Sequence, residues 1–241
     1  MGKKTSYVIN ISKNNYYNKP KENCIETPLS LADFIFNMFD DTVMLRNESS
    51  SDTLRVWDIG CGKGNLSRPF KKAGYRCTGI DINYWYKEFY PGKFIPCDFI
   101  AQSTELLQKF SSKYTDHLIL CNPPFNYRDG STPEEVLTYW KGQGFEKEPL
   151  YPHVFLHKIF EVFGTRAKVV LFVPMGFLRN QRILKKGNFS ERYQWLVDTE
   201  EQITSILTVP MNMFEGVLVH SDILFWNIQG MRPHYMYEQA E

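Results

Sequence analysis

An α/β fold, with a parallel sheet covered by helices on both faces, is predicted by three features of the chain. Segments of strand character alternate with segments of helical spacing from residue 29 to residue 228. The apolar runs His117-Leu118-Ile119-Leu120 and Lys168-Val169-Val170-Leu171-Phe172-Val173 read as buried strands. A glycine-rich turn, Asp58-Ile59-Gly60-Cys61-Gly62-Lys63-Gly64, links a first strand to a helix. The length of 241 residues suits one domain, and 43% hydrophobic with 23% charged residues is the composition of a soluble globular protein.

Taken in order, residues 1–26 carry five lysines against the acids Glu22 and Glu26, and read as a basic N-terminal arm. Both a solvated tail and a nucleic-acid arm fit that composition. Thr27 as a cap, with Pro28 in the first turn, starts a helix through Phe39. Strands are expected at 54–57, 75–81, 94–98, 117–120, 168–173, 203–209 and 217–228, with helices near 65–73, 102–112 and 152–163. Residues 126–150, rich in Gly, Pro, Tyr and charge, read as a long loop of the kind that is usually functional. Residues 27–230 thus form one domain and 231–241 a C-terminal tail.

Charge and cysteine content narrow the setting. A net charge of +1 supplies no global field for a polyanion, so any nucleic-acid surface must be a local patch. The five cysteines are scattered without a CxxC pair, which supports neither a disulfide framework nor a metal centre. With no signal peptide and no apolar run of membrane length, the expected setting is the reducing cytoplasm, away from membranes.

Two stretches carry chemistry. Glycines after a first strand let the backbone turn tightly and approach a ligand. Asp58 precedes them, where a carboxylate would repel a pyrophosphate but pair with an ammonium. Asp81, 23 residues on at the end of the next strand, stands where an acid binds ribose hydroxyls. A ligand with an ammonium and a ribose but no phosphate is S-adenosylmethionine, and Asp98 would accept from its adenine amino group. The second stretch is Cys121-Asn122-Pro123-Pro124-Phe125, a strand that runs into two prolines. Prolines lack the N–H donor and stiffen the chain, so this corner offers an amide, free carbonyls and an aromatic face. It suits a flat, amine-bearing group.

These motifs resemble those of class I S-adenosylmethionine-dependent methyltransferases that act on an sp2 nitrogen, above all adenine N6 in the gamma-order DNA enzymes. The residues concerned are Asp58 to Gly64, Gly79-Ile80-Asp81-Ile82-Asn83 and Asn122 to Phe125, with Thr27-Pro28 ahead of the glycines. Val170 to Pro174 with Phe177-Leu178-Arg179, and Gly216 to Phe225, are similar to the family's fifth-strand region and final hairpin. The resemblance implies a Rossmann-like sheet of seven strands, helices on both faces and an antiparallel last strand. It implies cofactor contacts from Thr27, Pro28, Asp58, Gly60, Gly62, Gly64, Asp81, Ile82, Asp98 and Phe99. Asn122, Pro123, Pro124 and Phe125 become the catalytic corner, with Phe125 stacked on the target base.

The polymer that carries the adenine is less defined. Arg179, Arg182, Lys185 and Lys186 form a basic cluster that fits either phosphate contacts or a solvated loop. DNA is the favoured substrate and RNA the alternative, since Asp-Ile-Gly-Cys-Gly is also similar to RNA-adenine enzymes. Protein glutamine, and a non-catalytic subunit with this fold, are the further readings. The inserts 126–150 and 176–200 are short for target recognition, so the chain either reads little sequence, reads it with these loops and the basic arm, or borrows a protein partner.

Overall fold

The computed structural model describes residues 25–40, 54–111, 116–125, 133–145, 150–175, 177–178, 202–214 and 220–237. Eight strands form one sheet: β1 (Leu54–Ile59), β2 (Arg76–Asp81), β3 (Lys93–Pro96), β4 (Asp116–Cys121), β5 (Lys168–Pro174), β6 (Ile203–Val209), β7 (Ser221–Trp226) and β8 (His234–Met236). Their order is β3-β2-β1-β4-β5-β7-β6-β8. Strands β1 to β5 pair in parallel, and β7 runs antiparallel between β5 and β6.

Side-chain alternation explains why the central strands read as unbroken apolar runs. Along β4, Leu118 and Leu120 enter one core cluster while Ile119 and Cys121 enter the other. Along β5, Val169, Leu171 and Val173 face one way and Val170 and Phe172 the other. Both faces are buried, so both sets must be apolar. Helices α1 (Leu29–Asp40) and α2 (Arg68–Lys72) cover one face; α3 (Thr104–Ser111), α4 (Glu134–Gly142) and α5 (Tyr151–Phe163) cover the other. At the strand starts, Lys168 Nζ meets both carboxylate oxygens of Asp116 at 2.7 Å, tying β5 to β4.

Four expectations are corrected. The sheet has eight strands rather than seven, because residues 234–236, expected in a tail, pair in parallel with β6. Tyr235 and Tyr237 pack against the core beside them, and Phe34 meets Tyr237 edge-on with ring centroids 5.1 Å apart. The 126–150 stretch is not all loop: Glu134 to Gly142 is helical, with Val136 and Trp140 buried one turn apart. Thr27 does not act as a side-chain cap for α1; Pro28 C=O accepts from Ala32 N at 3.0 Å, and the Thr27 hydroxyl turns to Asn122. Asp98 lies two residues past β3 rather than on its end. The basic arm before Ile25, the cluster Arg179, Arg182, Lys185 and Lys186, and residues 217–219 of the expected last strand lie outside the described residues.

Candidate active site

The sheet order reverses between β1 and β4, where the chains leaving the two strands diverge and open a crevice. Register puts Ile59 beside Cys121, so the glycine turn and the Asn122 corner emerge as neighbours. Parallel pairing of β1 to β4 brings Asp81 and Asp98 to the same edge.

The glycine turn is fastened to β2. Gly60 N and Cys61 N donate to Ile80 O at 2.8 and 3.1 Å. Gly62 N donates to Asp81 Oδ2 at 2.9 Å, and Asn83 N to Asp81 Oδ1 at 2.8 Å. Gly60 has φ of 69°, and no heavy atom lies within 4 Å of where a Cβ would stand, so its backbone faces open space. At Gly64 the reason for glycine is packing: a Cβ would sit 2.6 Å from both Tyr90 and Pro91.

Asp58 is 2% exposed, and its Oδ2 has no hydrogen-bond partner. Burial pushes its carboxyl up to about 8; hydrogen bonds from Ser67 oppose the rise, and the charge of Asp81 adds to it. Burial likewise raises Asp81, against the pull of its backbone donors Asn83 and Gly62. Asp58 lines a small cavity of about 30 Å³ together with Thr27, Gly60, Gly62 and Asn65. Glu26 and Lys63 line it as well and form a 2.6 Å ion pair.

Asn122 is oriented from across the crevice. Its Nδ2 donates to Thr27 Oγ1 at 3.1 Å, and Thr27 O accepts from Asn65 Nδ2 at 3.0 Å. The glycine turn, the chain before α1 and the β4 corner are therefore one hydrogen-bonded unit. The bond to Thr27 takes one of the two Asn122 N–H groups and fixes the amide's orientation, which leaves Oδ1 as its acceptor for a ligand.

A larger cavity of about 500 Å³ opens in front of this unit. Asp81, Ile82, Asp98 and Phe99 line it, as do Gly60 and Asn122 to Phe125. Asp98 Oδ1 accepts from Ile100 N at 2.8 Å and Ala101 N at 3.1 Å, and no described residue reaches its Oδ2. Ile82 is 73% exposed, an apolar wall standing free at the cavity. Phe125 is 7% exposed and belongs to the core cluster beneath α1, so only part of its ring is open to the cavity. Phe99 stacks on Phe155, with centroids 6.0 Å apart. Of the residues expected at the cofactor, Pro28 and Gly64 line neither cavity.

Val136, Tyr151 and Phe155 also line the large cavity, and the sequence did not single them out for a site. The available signal was helical spacing: Glu134-Glu135 in a first turn, then Val136 and Trp140 four residues apart.

No family model matches this sequence, and no curated protein matches it. Solved structures do. The methyltransferase subunit of a type I restriction-modification system from Streptococcus thermophilus superposes with a TM-score of 0.59 at 14% identity, over 90% of this chain and 49% of that one. The fold is shared with a methyltransferase subunit. This chain spans about half of that subunit's length. A proposed RNA methyltransferase from Pyrococcus horikoshii gives 0.49 at 17% identity, over 92% and 94% of the two chains. The tRNA (uracil-54, C5)-methyltransferase from Pyrococcus abyssi, in complex with S-adenosyl-L-homocysteine, gives 0.42 at 10% identity, over 81% and 36%. Both cavities lie at the crevice between β1 and β4. Among the described residues, no helix is long and apolar enough to cross a membrane.

Proposed function

We propose that this chain transfers the methyl group of S-adenosylmethionine to the exocyclic N6 amino group of adenine in DNA. The observation that carries this reading is the Asn122 amide, pinned through Nδ2 by Thr27 at the mouth of a large cavity.

The residues present fit the cofactor. Gly60 faces open space, where a ligand can approach the backbone. The unpartnered, buried Oδ2 of Asp58 suits an ammonium. Asp81 holds its place through two backbone donors and retains lone pairs for ribose hydroxyls. Asp98 Oδ2, with Ile82 and Phe99 beside it, suits an adenine with an amino edge. The bound cofactor would supply a methyl carbon activated by a sulfonium.

The remaining work falls to the chain itself. The N6 lone pair of adenine is delocalised into the ring, which makes it a poor nucleophile. Asn122 Oδ1 and the Pro123 carbonyl accept its two N–H groups and favour the pyramidal geometry that frees the lone pair. The nitrogen becomes acidic once methylated, so its proton leaves without a strong base. Catalysis rests on positioning and fixed dipoles. In duplex DNA the adenine is flipped out of the stack to reach the corner. Target reading is assigned to Arg179, Arg182, Lys185 and Lys186 or to a partner subunit. The restriction-modification likeness and the gamma-order resemblance both favour DNA.

Two variants test the reading. Asn122→Ala is expected to keep cofactor affinity and lose about 100-fold or more in turnover. Thr27→Val, which releases the amide, is expected to lose roughly 2- to 10-fold. Near-normal turnover by the Asn122 variant in a radiolabelled transfer assay would overturn the proposal.

A further inference from the structure

Outside the cavities, the most unusual surface is the connection from β2 to β3. Eight large hydrophobic side chains are exposed among the described residues, and three of them, Tyr84, Trp85 and Phe89, lie here and line neither cavity. These three are every aromatic in that set, and Trp85 is 76% exposed. Residues Tyr84–Glu88 form a 3₁₀ turn, which places i and i+3 above one another. Lys87 Nζ accordingly lies 3.3 Å from Tyr84 OH and 5.2 Å from the Tyr84 ring centre. Asn83 and Tyr86 point the other way and line the large cavity.

The surroundings of this patch are basic. Residues 63–93 hold seven Lys and Arg against two acids, Asp81 and Glu88, in a chain whose net charge is only +1. Asp81 is taken up by backbone donors at the cavity, which leaves Glu88 as the exposed acid of the patch. On α2, Arg68, Lys71 and Lys72 share a face, while Pro69 and Phe70 are buried. Arg68 Nη2 donates to Phe89 O at 3.4 Å, which joins that basic face to the aromatic one. Lys71, Lys72 and Lys87 have no ion-pair partner among the described residues.

We infer that the Tyr84–Trp85–Phe89 surface, flanked by Arg68, Lys71, Lys72 and Lys87, binds a single-stranded stretch of nucleic acid by stacking bases on the rings and pairing phosphates with the cations. Exposed flat rings beside unpaired cations are the two parts such a surface needs, since every base has a stacking face and every phosphate a charge. A protein partner would be met by an apolar patch depleted of lysine, and here Lys87 lies against the Tyr84 ring. The surface is separate from the Asn122 corner, and its segment forms part of the cavity wall, so a strand held there lies beside the cavity. The inference goes beyond the proposed methyl transfer and does not require adenine to be the acceptor.

The test is fluorescence anisotropy with labelled 20-nucleotide single strands of DNA and RNA, and with the matching duplex, over a range of salt concentrations. Trp85→Ala is expected to weaken single-strand binding about fivefold or more. Lys71→Ala with Lys72→Ala is expected to reduce the log–log salt slope by about 0.7 per lysine. S-adenosylhomocysteine affinity and the melting temperature, measured on the same variants, are expected to stay at the wild-type values. Unchanged strand affinity in Trp85→Ala, or no strand binding by the wild type, would overturn the inference. So would a wild-type dimer in sedimentation that Trp85→Ala converts to a monomer with its strand affinity intact. A protein that binds strands through Trp85 but methylates no adenine would fail the catalytic proposal alone.

Discussion

At the scale of single residues, Asp58 is held in a position that costs the fold stability. Its buried carboxyl is raised to about 8 from 3.8. The folded protein thus holds the Asp58 proton more tightly than the unfolded chain does. The stabilising contribution is complete below about pH 4 and is lost as pH rises through about 8, at no more than about 1.4 kcal/mol per pH unit. Asp58→Asn should therefore flatten the decline in urea-unfolding stability between pH 6 and pH 8. It should also weaken S-adenosylmethionine binding about tenfold or more, because a buried charge-assisted hydrogen bond is lost. A variant that declines like the wild type, or binds the cofactor as well, would show that Asp58 serves another end. That Asp58, Asp81 and Asp98 gather at the cavities was legible in the sequence, because Asp58 sits at the glycine end of β1, Asp81 ends β2 and Asp98 lies just past β3. The Thr27–Asn122 bond was not, since 95 residues separate its partners and nothing local to either one requires the other. The partial burial of Phe125 was equally hidden, as it depends on the core beneath α1.

At the scale of elements, the helix α4 shows where sequence reading falls short. Polar and glycine residues around 126–150 masked a nine-residue helix whose buried face consists of Val136 and Trp140. A polar network fastens α4 to α3 and α5. Tyr139 OH donates to Glu161 Oε2 at 2.9 Å and lies 2.9 Å from His157 Nδ1. Thr104 Oγ1 donates to Glu161 Oε1 and accepts from Lys158 Nζ, both at 2.7 Å. Lys158 is 4% exposed in its side chain and Glu161 32%. Glu161→Ala leaves Lys158 buried without its carboxylate, and the expected loss is about 2–3 kcal/mol in chemical denaturation. That is less than for a fully buried pair, because water already reaches Glu161. The double variant Lys158→Met with Glu161→Leu should regain most of the loss. If it does not, packing around α4 rather than the stranded charge is responsible. Because Val136 of α4 lines the large cavity, the network also supports the site wall.

At the scale of the whole molecule, two-sided burial made the parallel core legible: only apolar runs can serve both clusters. The eighth strand was not legible, because His234-Tyr235-Met236 is short, follows a proline and draws its order from β6 rather than from its own pattern. Charge is unevenly spread, with the basic excess of residues 63–93 set against a net acidic remainder. The shape and its crevice are those of a methyltransferase fold, and the proposed role of the corner within it is to hold an amine-bearing ring. The most direct test of that central claim is nucleoside mass spectrometry of DNA and RNA after incubation with the protein and methyl-labelled S-adenosylmethionine. The expected product is labelled N6-methyldeoxyadenosine from DNA, absent with Asn122→Ala. Label on another base or on protein, with adenine N6 unmodified in both polymers, would contradict the account.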